Sequence, residues 1–179
     1  KYRIPAGTTI NGIGAISQDS DTYIGSYPTT NTFRTAASQS DLVISFGVKW
    51  DYTVFYGAPP IWNQEQKLVQ VDIDPTVIGK NRPTDIPIIG DAGEVINQIL
   101  SQMEEELPKD KITQWEEWNN YLREMNAADQ QNIDKILKSD KLPMKPQRLA
   151  WEVLDFINSD TQFVIDGGDI AVFTYGLLS

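Results

Sequence analysis

Two short apolar runs that end beside acidic residues constrain the fold of this 179-residue chain most strongly. The first covers residues 68–73, contains Asp72 near its end and is followed by Asp74. The second covers residues 86–89 and is followed by the pair Gly90-Asp91. Such runs are typical of buried parallel strands, and nucleotides bind at the carboxyl ends of these strands. A carboxylate there accepts hydrogen bonds from a ribose or an adenine amino group. The pattern therefore predicts a nucleotide-binding α/β domain.

Apolar runs that favour strands alternate along the chain with amphipathic stretches that favour helices. The alternation indicates a Rossmann-like parallel sheet that is flanked by helices and joined by right-handed crossovers. Val95, Ile96, Ile99, Leu100 and Met103 would form the inner face of one helix. The predicted strands cover residues 4–10, 41–47, 68–73 and 86–89, the predicted helices cover 32–40, 92–106 and 112–137, and the stretches 19–31 and 49–62 are predicted loops.

Breaks rich in proline and charge divide the chain into three parts. Residues 1–107 form the predicted central nucleotide-binding domain, and residues 108–145 form a helical linker. Residues 146–179 look like the opening of a second α/β domain, with a helix from Pro146 and a strand over residues 162–166. Because the chain opens without Met and stops just after that strand, we expect it to be an internal segment of a longer protein.

Composition excludes several classes of function. The formal net charge of −10 argues against nucleic acid and against an anionic membrane surface as partners. The absence of Cys and His excludes thiolate and imidazole metal sites, Cys nucleophiles and a Ser-His-Asp triad. No apolar run approaches the length of a membrane-spanning helix.

Five stretches in a fixed order carry a family resemblance. They are residues 4–9 with 12–16, 40–51, 71–81, 89–92 and 164–169. In this order they resemble the thiamine-diphosphate-dependent enzymes of the acetolactate synthase and pyruvate oxidase type. The resemblance covers nearly the whole chain, as the central domain plus the first helix and strand of the diphosphate-binding domain.

The resemblance implies two cofactor sites. In that family the central domain holds FAD, or an adenine nucleotide such as ADP, or nothing. By position, the ribose and adenine would lie at Asp72, Ile73 and Asp74, the adenine edge at Gly90, Asp91 and Ala92, and the diphosphate or ribityl part at Gly47, Val48 and Lys49. The diphosphate of thiamine diphosphate would lie at Gly167, Gly168, Asp169 and Ile170.

Several residues also have simpler interpretations. Flavin-binding relatives usually have a Gly-Met-His-Gly turn where this chain has Gly25-Ser-Tyr-Pro, and an Arg where it has Lys49. Both changes weaken the case for FAD, since lysine lacks the planar fork that grips a diphosphate. Asp72 and Asp74 are also suited to simple turns, and Asp91 to capping a helix.

The resemblance predicts an enzyme that decarboxylates a 2-oxo acid such as pyruvate and passes the product to an acceptor, with thiamine diphosphate and Mg²⁺. The metal motif and the activating glutamate lie in other parts of such enzymes, so no catalytic or metal-binding residue is assigned and the segment alone is expected to be inactive. A cytoplasmic homodimer or homotetramer is expected. The alternatives are a 2-hydroxyacyl-CoA lyase, an oxalyl-CoA-type decarboxylase, a pyruvate oxidase, or a non-catalytic FAD/ADP-binding or spacer domain.

Overall fold

The computed structural model describes residues 2–27, 29–107, 114–158, 160–162 and 164–177. These residues form two compact units, which we call the three-stranded unit (within 1–5 and 34–120) and the two-stranded unit (within 6–33 and 121–179). The elements in chain order are β1 (Ala6–Thr9), β2 (Tyr23–Tyr27), α1 (Asn31–Gln39), β3 (Leu42–Phe46), β4 (Lys67–Asp72), β5 (Ile86–Ile89), α2 (Ala92–Glu106), α3 (Gln114–Leu137), α4 (Pro146–Leu154) and α5 (Asp169–Tyr175).

The three-stranded unit is a parallel sheet in the order β3-β4-β5. All three strands and α2 were predicted from the sequence, and the α/β class is confirmed. Alternate residues of each strand share one face of the sheet. On one face Val69 and Val71 pack against Val95 of α2, and the partly buried Phe46, Ile88 and Ile99 surround them. Each fully buried valine contributes about 1.5 kcal/mol of hydrophobic stabilisation.

The predicted inner face of α2 is only partly correct. Val95 is buried and Ile99 packs beside it, whereas Ile96 and Leu100 are 38% and 41% exposed. A three-stranded sheet offers a narrow surface, so only one stripe of the helix finds strand residues beneath it. The remaining apolar side chains of α2 therefore stay in contact with solvent.

The loop after β3 closes the opposite face of the sheet. Trp50 donates a hydrogen bond from Nε1 to Ser45 Oγ at 3.2 Å, and its ring meets Trp62 edge-on with 4.7 Å between centroids. The guanidinium of Arg82 lies 4.8 Å from the Trp50 ring centroid, and burial lowers the pKa of Arg82. Gly57, at φ +67°, runs so close that a side-chain carbon there would lie 2.8 Å from the Trp50 ring. A glycine is thus required for this packing.

The two-stranded unit contains a strand that the sequence interpretation missed. β2 pairs in parallel with β1, although residues 19–31 were predicted to be a loop. Glycine and serine in the middle of β2 weakened the strand pattern, but Gly25 at φ +90° makes room for the side chain of Thr30. A side-chain carbon at Gly7 would lie 2.7 Å from the Gly25 carbonyl oxygen, so the two strands approach closely.

Asp129 of α3 caps the N-terminus of α1. Its carboxylate accepts hydrogen bonds from the Thr32 amide at 3.0 Å, the Thr32 hydroxyl at 3.1 Å and the Asn31 side chain at 2.9 Å. These contacts satisfy backbone and side-chain donors that the helix itself leaves open.

The predicted helix 32–40 is confirmed as α1. The predicted helix 112–137 is confirmed from Gln114 onward, and residues 112–113 lie outside the described part of the chain.

The C-terminal part of the two-stranded unit differs from the prediction. α4 begins at Pro146 as expected, and it packs against α5, which was not predicted. The strand expected over residues 162–166 is not formed at the positions that the structure describes there. A strand is stabilised by a neighbouring strand, and the sheets of the described residues contain only β1 to β5. The prediction of a helix from Pro146 is therefore correct, and the prediction of a strand after it is wrong at the described positions.

We expect Gly57→Ala to destabilise the protein by about 2–4 kcal/mol, because a left-handed backbone strains alanine and the new methyl group meets the Trp50 ring. Gly47→Ala is the matched control: Gly47 has φ +66°, and a side-chain carbon added there would meet no atom within 4 Å. The control should lose only about 1 kcal/mol. Urea unfolding followed by tryptophan fluorescence measures both, and equal losses would contradict the packing role of Gly57.

Asp129→Ala should lower the free energy of unfolding by about 1–2 kcal/mol, since it removes the acceptors at the start of α1. Asp134→Ala on the same helix is the control. Its carboxylate is 3.7 Å from Lys138 and 48% exposed, so its loss should cost at most about 0.5 kcal/mol. Thermal unfolding of the two variants measures both losses of stability. An Asp129→Ala variant as stable as the natural protein would argue against the cap.

Candidate functional site

The carboxyl ends of β3, β4 and β5 lie level with one another. Phe46 is in register with Val71, and Asp72 is in register with Ile89. The backbone amide of Gly47 donates to the Val71 carbonyl at 2.9 Å, and the amide of Gly90 donates to the Asp72 carbonyl at 3.0 Å. The structure thus brings the predicted residues after all three strands to one edge of the sheet.

Asp72 and Asp74 form two successive side-chain turns at this edge. Asp72 Oδ1 accepts the amide of Asp74 at 2.9 Å, and Asp74 Oδ1 accepts the amide and hydroxyl of Thr76 at 2.9 and 2.7 Å. The turn interpretation of both residues is therefore correct. Within the described ranges, the second oxygen of each carboxylate accepts no hydrogen bond. These oxygens are available to a ligand that donates hydrogen bonds.

Asp91 combines a structural bond with an open acceptor in the same way. Its Oδ1 accepts the amide of Glu94 at 3.1 Å and caps α2, which begins at Ala92. The capping prediction is confirmed. Ile73 and Ile89 are 73% and 65% exposed beside these carboxylates. Sequence reasoning placed Ile73 here but missed Ile89, which ends an apolar run that was assumed to be buried.

Two lysines supply positive charge near the same edge. The side chains of Lys49 and Lys80 are exposed. The pKa of Asp74 lies below its ordinary value, mainly because its side chain accepts hydrogen bonds from the hydroxyl and the amide of Thr76. The two ammonium groups add a smaller lowering of the same pKa. Asp74 is therefore ionised at neutral pH, and the two lysines lie near its carboxylate.

Gln70 is the main residue of this edge that sequence reasoning missed. It is 1% exposed, and its amide contacts both connections that follow β3 and β4. Its Nε2 donates to the carbonyls of Val48 at 3.1 Å and Val77 at 3.3 Å, and its Oε1 accepts from the Gly79 amide and the Thr84 hydroxyl, each at 2.9 Å. The available signal was a lone amide side chain inside the buried run Leu-Val-Gln-Val.

Gly167, Gly168, Asp169 and Ile170 belong to the two-stranded unit, whereas the residues described above belong to the three-stranded unit. Gly168 has φ +92° and precedes α5, and its carbonyl accepts the Ala171 amide at 3.1 Å. The Gly167 amide donates to Asp166 Oδ1 at 2.7 Å. A side-chain carbon at either glycine would meet nothing within 4 Å, so the backbone there is open to a ligand.

The two-stranded unit also contains a polar cavity of about 260 Å³. Asp19, Tyr23, Asn126, Asp129 and Gln130 are among its lining residues. Asp129 already uses both carboxylate oxygens to cap α1. That carboxylate therefore already serves a structural role, and no sequence motif pointed to the cavity.

The groups at the edge of the three-stranded sheet could hold a phosphorylated nucleoside. Carboxylate oxygens suit ribose hydroxyls, exposed isoleucines suit the faces of a purine, and ammonium groups suit phosphate. Across the residues that the structure describes, no group of three acidic, Cys or His side chains could hold a metal ion. The same part of the chain has no helix that is both long and apolar enough to cross a membrane.

Comparison with known proteins gives consistent results. The family model for the central domain of thiamine pyrophosphate enzymes matches residues 1–99. A probable acetolactate synthase large subunit from Methanocaldococcus jannaschii is 31% identical over 162 residues, which is 87% of this chain and 25% of the relative. The corresponding Methanococcus aeolicus protein is 29% identical over 90% of this chain and 28% of its own length. The acetolactate synthase large subunit of Haemophilus influenzae is 28% identical over 97% of this chain and 30% of its own length.

These matches confirm the resemblance inferred from the five stretches, and the chain spans between a quarter and a third of the length of these relatives. The matched residues 1–99 contain β1 to β5, and thus the edge that carries Asp72, Asp91 and Lys49. The family model covers more than half of the 179 residues of the chain. The chain therefore belongs to the thiamine pyrophosphate enzyme family, and the matched residues correspond to the central domain of these enzymes.

Proposed function

We propose that the chain is the central segment of a thiamine-diphosphate-dependent enzyme of the acetolactate synthase type. Such an enzyme decarboxylates a 2-oxo acid such as pyruvate and joins the resulting two-carbon unit to an acceptor. The observation that carries the proposal is the match of up to 97% of the chain to acetolactate synthase large subunits. The expected homodimer or homotetramer and the cytoplasmic location remain predictions.

Within this proposal, the segment contributes binding rather than chemistry. Thiamine diphosphate supplies the electron sink for decarboxylation when it is bound. The open backbone of Gly167 and Gly168, with the amides of Asp169 and Ile170, would hold part of its diphosphate. No catalytic residue or ligand of Mg²⁺ is assigned to this segment, and both roles would belong to other parts of the enzyme.

The edge of the three-stranded sheet is the proposed auxiliary nucleotide site. Asp72, Asp74 and Ile73 would receive the ribose and adenine, with Gly90, Asp91 and Ala92 at the adenine edge. Gly47, Val48 and Lys49 would receive the phosphates. Flavin-binding relatives usually have an arginine where this chain has Lys49 and a different turn at Gly25-Ser-Tyr-Pro, so we favour ADP over FAD.

A second candidate function keeps the fold and changes the reaction. An oxalyl-CoA-type decarboxylase or a 2-hydroxyacyl-CoA lyase would also use a central domain that binds an adenine nucleotide. The observation that favours these candidates is Lys49, which follows Gly47-Val48 where flavin-binding relatives usually have an arginine. A pyruvate oxidase would require FAD and is the least favoured. A non-catalytic spacer would bind no nucleotide at all.

The Asp72→Asn variant tests the nucleotide site. Asparagine keeps the oxygen that accepts the Asp74 amide but loses the charge, so ADP should bind about tenfold more weakly, which corresponds to about 1.4 kcal/mol. Isothermal titration of the natural protein and the variant with ADP measures this change.

Asp85→Asn is the matched control, because Asp85 precedes β5 and pairs with Lys67 at 2.9 Å at the opposite end of the sheet. This control should bind ADP as the natural protein does. Equal binding of ADP by the natural protein and by Asp72→Asn would remove Asp72 from the site.

A turnover assay tests the assignment of the chemistry. The purified 179-residue chain should consume no pyruvate with added thiamine diphosphate and Mg²⁺, whereas the full-length natural protein should form acetolactate. Pyruvate, oxalyl-CoA and a 2-hydroxyacyl-CoA would be compared as substrates, with carbon dioxide, acetolactate and aldehyde as products. Turnover by the isolated chain would show that it contains the catalytic groups, and oxalyl-CoA as the preferred substrate would favour the second candidate.

A further inference from the structure

Gln70 uses its entire hydrogen-bonding capacity inside the protein. A primary amide has two N–H donors and an oxygen with two lone pairs. Both donors meet carbonyl oxygens, those of Val48 and Val77, and both lone pairs meet donors, the Gly79 amide and the Thr84 hydroxyl. Because the oxygen must face the Gly79 amide, the orientation of the amide is also determined. The Gln70 side chain is thus held by four hydrogen bonds to four different residues.

The four partners belong to two different connections. Val48 lies in the connection that leaves β3, while Val77, Gly79 and Thr84 lie between β4 and β5. These connections also carry the two lysines, since Lys49 follows Val48 and Lys80 follows Gly79. The Asn81 side chain adds a longer bond of 3.4 Å to the Lys49 carbonyl. The backbone positions of both lysines therefore depend on this buried amide.

We propose that Gln70 is a positioning residue that makes the nucleotide site selective for phosphorylated nucleosides. It holds the backbone from which the side chains of Lys49 and Lys80 extend at this edge of the sheet. Gln70 is buried and touches no ligand itself. Asp72 and Asp91 do not bond to it, whereas Lys49 and Lys80 directly follow two of its bonded partners, so its loss should affect the phosphate end of the site most. This inference rests on the proposed nucleotide site.

Gln66 provides the comparison that separates positioning from ordinary stabilisation. It precedes β4, is 4% exposed and is bonded through its amide as Gln70 is. Its Nε2 donates to the carbonyls of Ala37 and Ser40, each at 3.0 Å, and its Oε1 accepts from Arg82 at 3.1 Å. Arg82 lies in the same connection as Lys80, but Gln66 bonds its guanidinium and not the backbone next to either lysine. Loss of either amide should lower stability, but only loss of Gln70 should change the site.

The experiment compares Gln70→Met and Gln66→Met in the full-length natural protein, with ADP and adenosine as probes. Dissociation constants are measured by isothermal titration at a temperature where each variant is folded. Gln70→Met should weaken ADP binding about tenfold and adenosine binding less than about twofold. Gln66→Met should change neither by more than about twofold. Thr84→Val, which removes one of the four bonds, should weaken ADP binding about threefold.

A second measurement does not depend on any ligand. Hydrogen exchange of the Gly79 amide should be faster in Gln70→Met and in Thr84→Val than in Gln66→Met. If Gln70→Met fails to fold, Thr84→Val decides through both measurements.

Each other outcome counts against a specific claim. Unchanged ADP affinity in Gln70→Met, or an equal loss of ADP and adenosine affinity, would overturn the positioning role and leave the nucleotide site in place. Equal losses in the Gln70 and Gln66 variants would reduce Gln70 to a stabilising residue. Absence of binding of both probes to the natural protein would overturn the nucleotide site and this inference with it.

Discussion

The register of β4 between its two neighbours is the constraint on which the candidate site depends. Val71 is in register with both Phe46 and Ile88, so the three strands end at the same level. A shift of one residue would turn Val69 and Val71 away from Val95 and turn Gln70 toward the helix. The apolar packing against α2 therefore determines the register, and the register determines which polar groups share the edge.

The sequence was most informative where burial and local chemistry agree. β3, β4, β5 and α2 were predictable because apolar runs with flanking acidic or glycine residues have few alternative structures. The strand β2 was missed because Gly25 and Ser26 interrupt its pattern, and its stability depends on Thr30 and β1, which lie outside that pattern. The predicted strand at residues 162–166 failed for the opposite reason. Its composition suited a strand, but a strand also needs a neighbouring strand to pair with, and the described residues provide none for this segment.

In the candidate site, too, residues with a local sequence signal were predicted and a residue that depends on distant partners was missed. Asp72, Asp74 and Asp91 were found from their positions after apolar runs, and each has a structural bond that accounts for one oxygen. The two explanations, a turn or cap and a ligand contact, are compatible because a carboxylate has several acceptor positions. Gln70 was missed because a single polar letter within an apolar run conveys nothing about partners that lie seven to 22 residues away. Only the folded chain shows that its four bonds are satisfied together.

The complete bonding of Gln70 has a consequence for transplanting this site into another protein. Asparagine has the same groups on a shorter side chain, and glutamate offers acceptors where Val48 and Val77 already present carbonyl oxygens. A graft that moved only the ligand-facing residues would leave the recipient without the link between its two connections. The smallest portable module therefore includes position 70, the glycine at 79 and the hydroxyl at 84, together with the lysines whose backbone they hold.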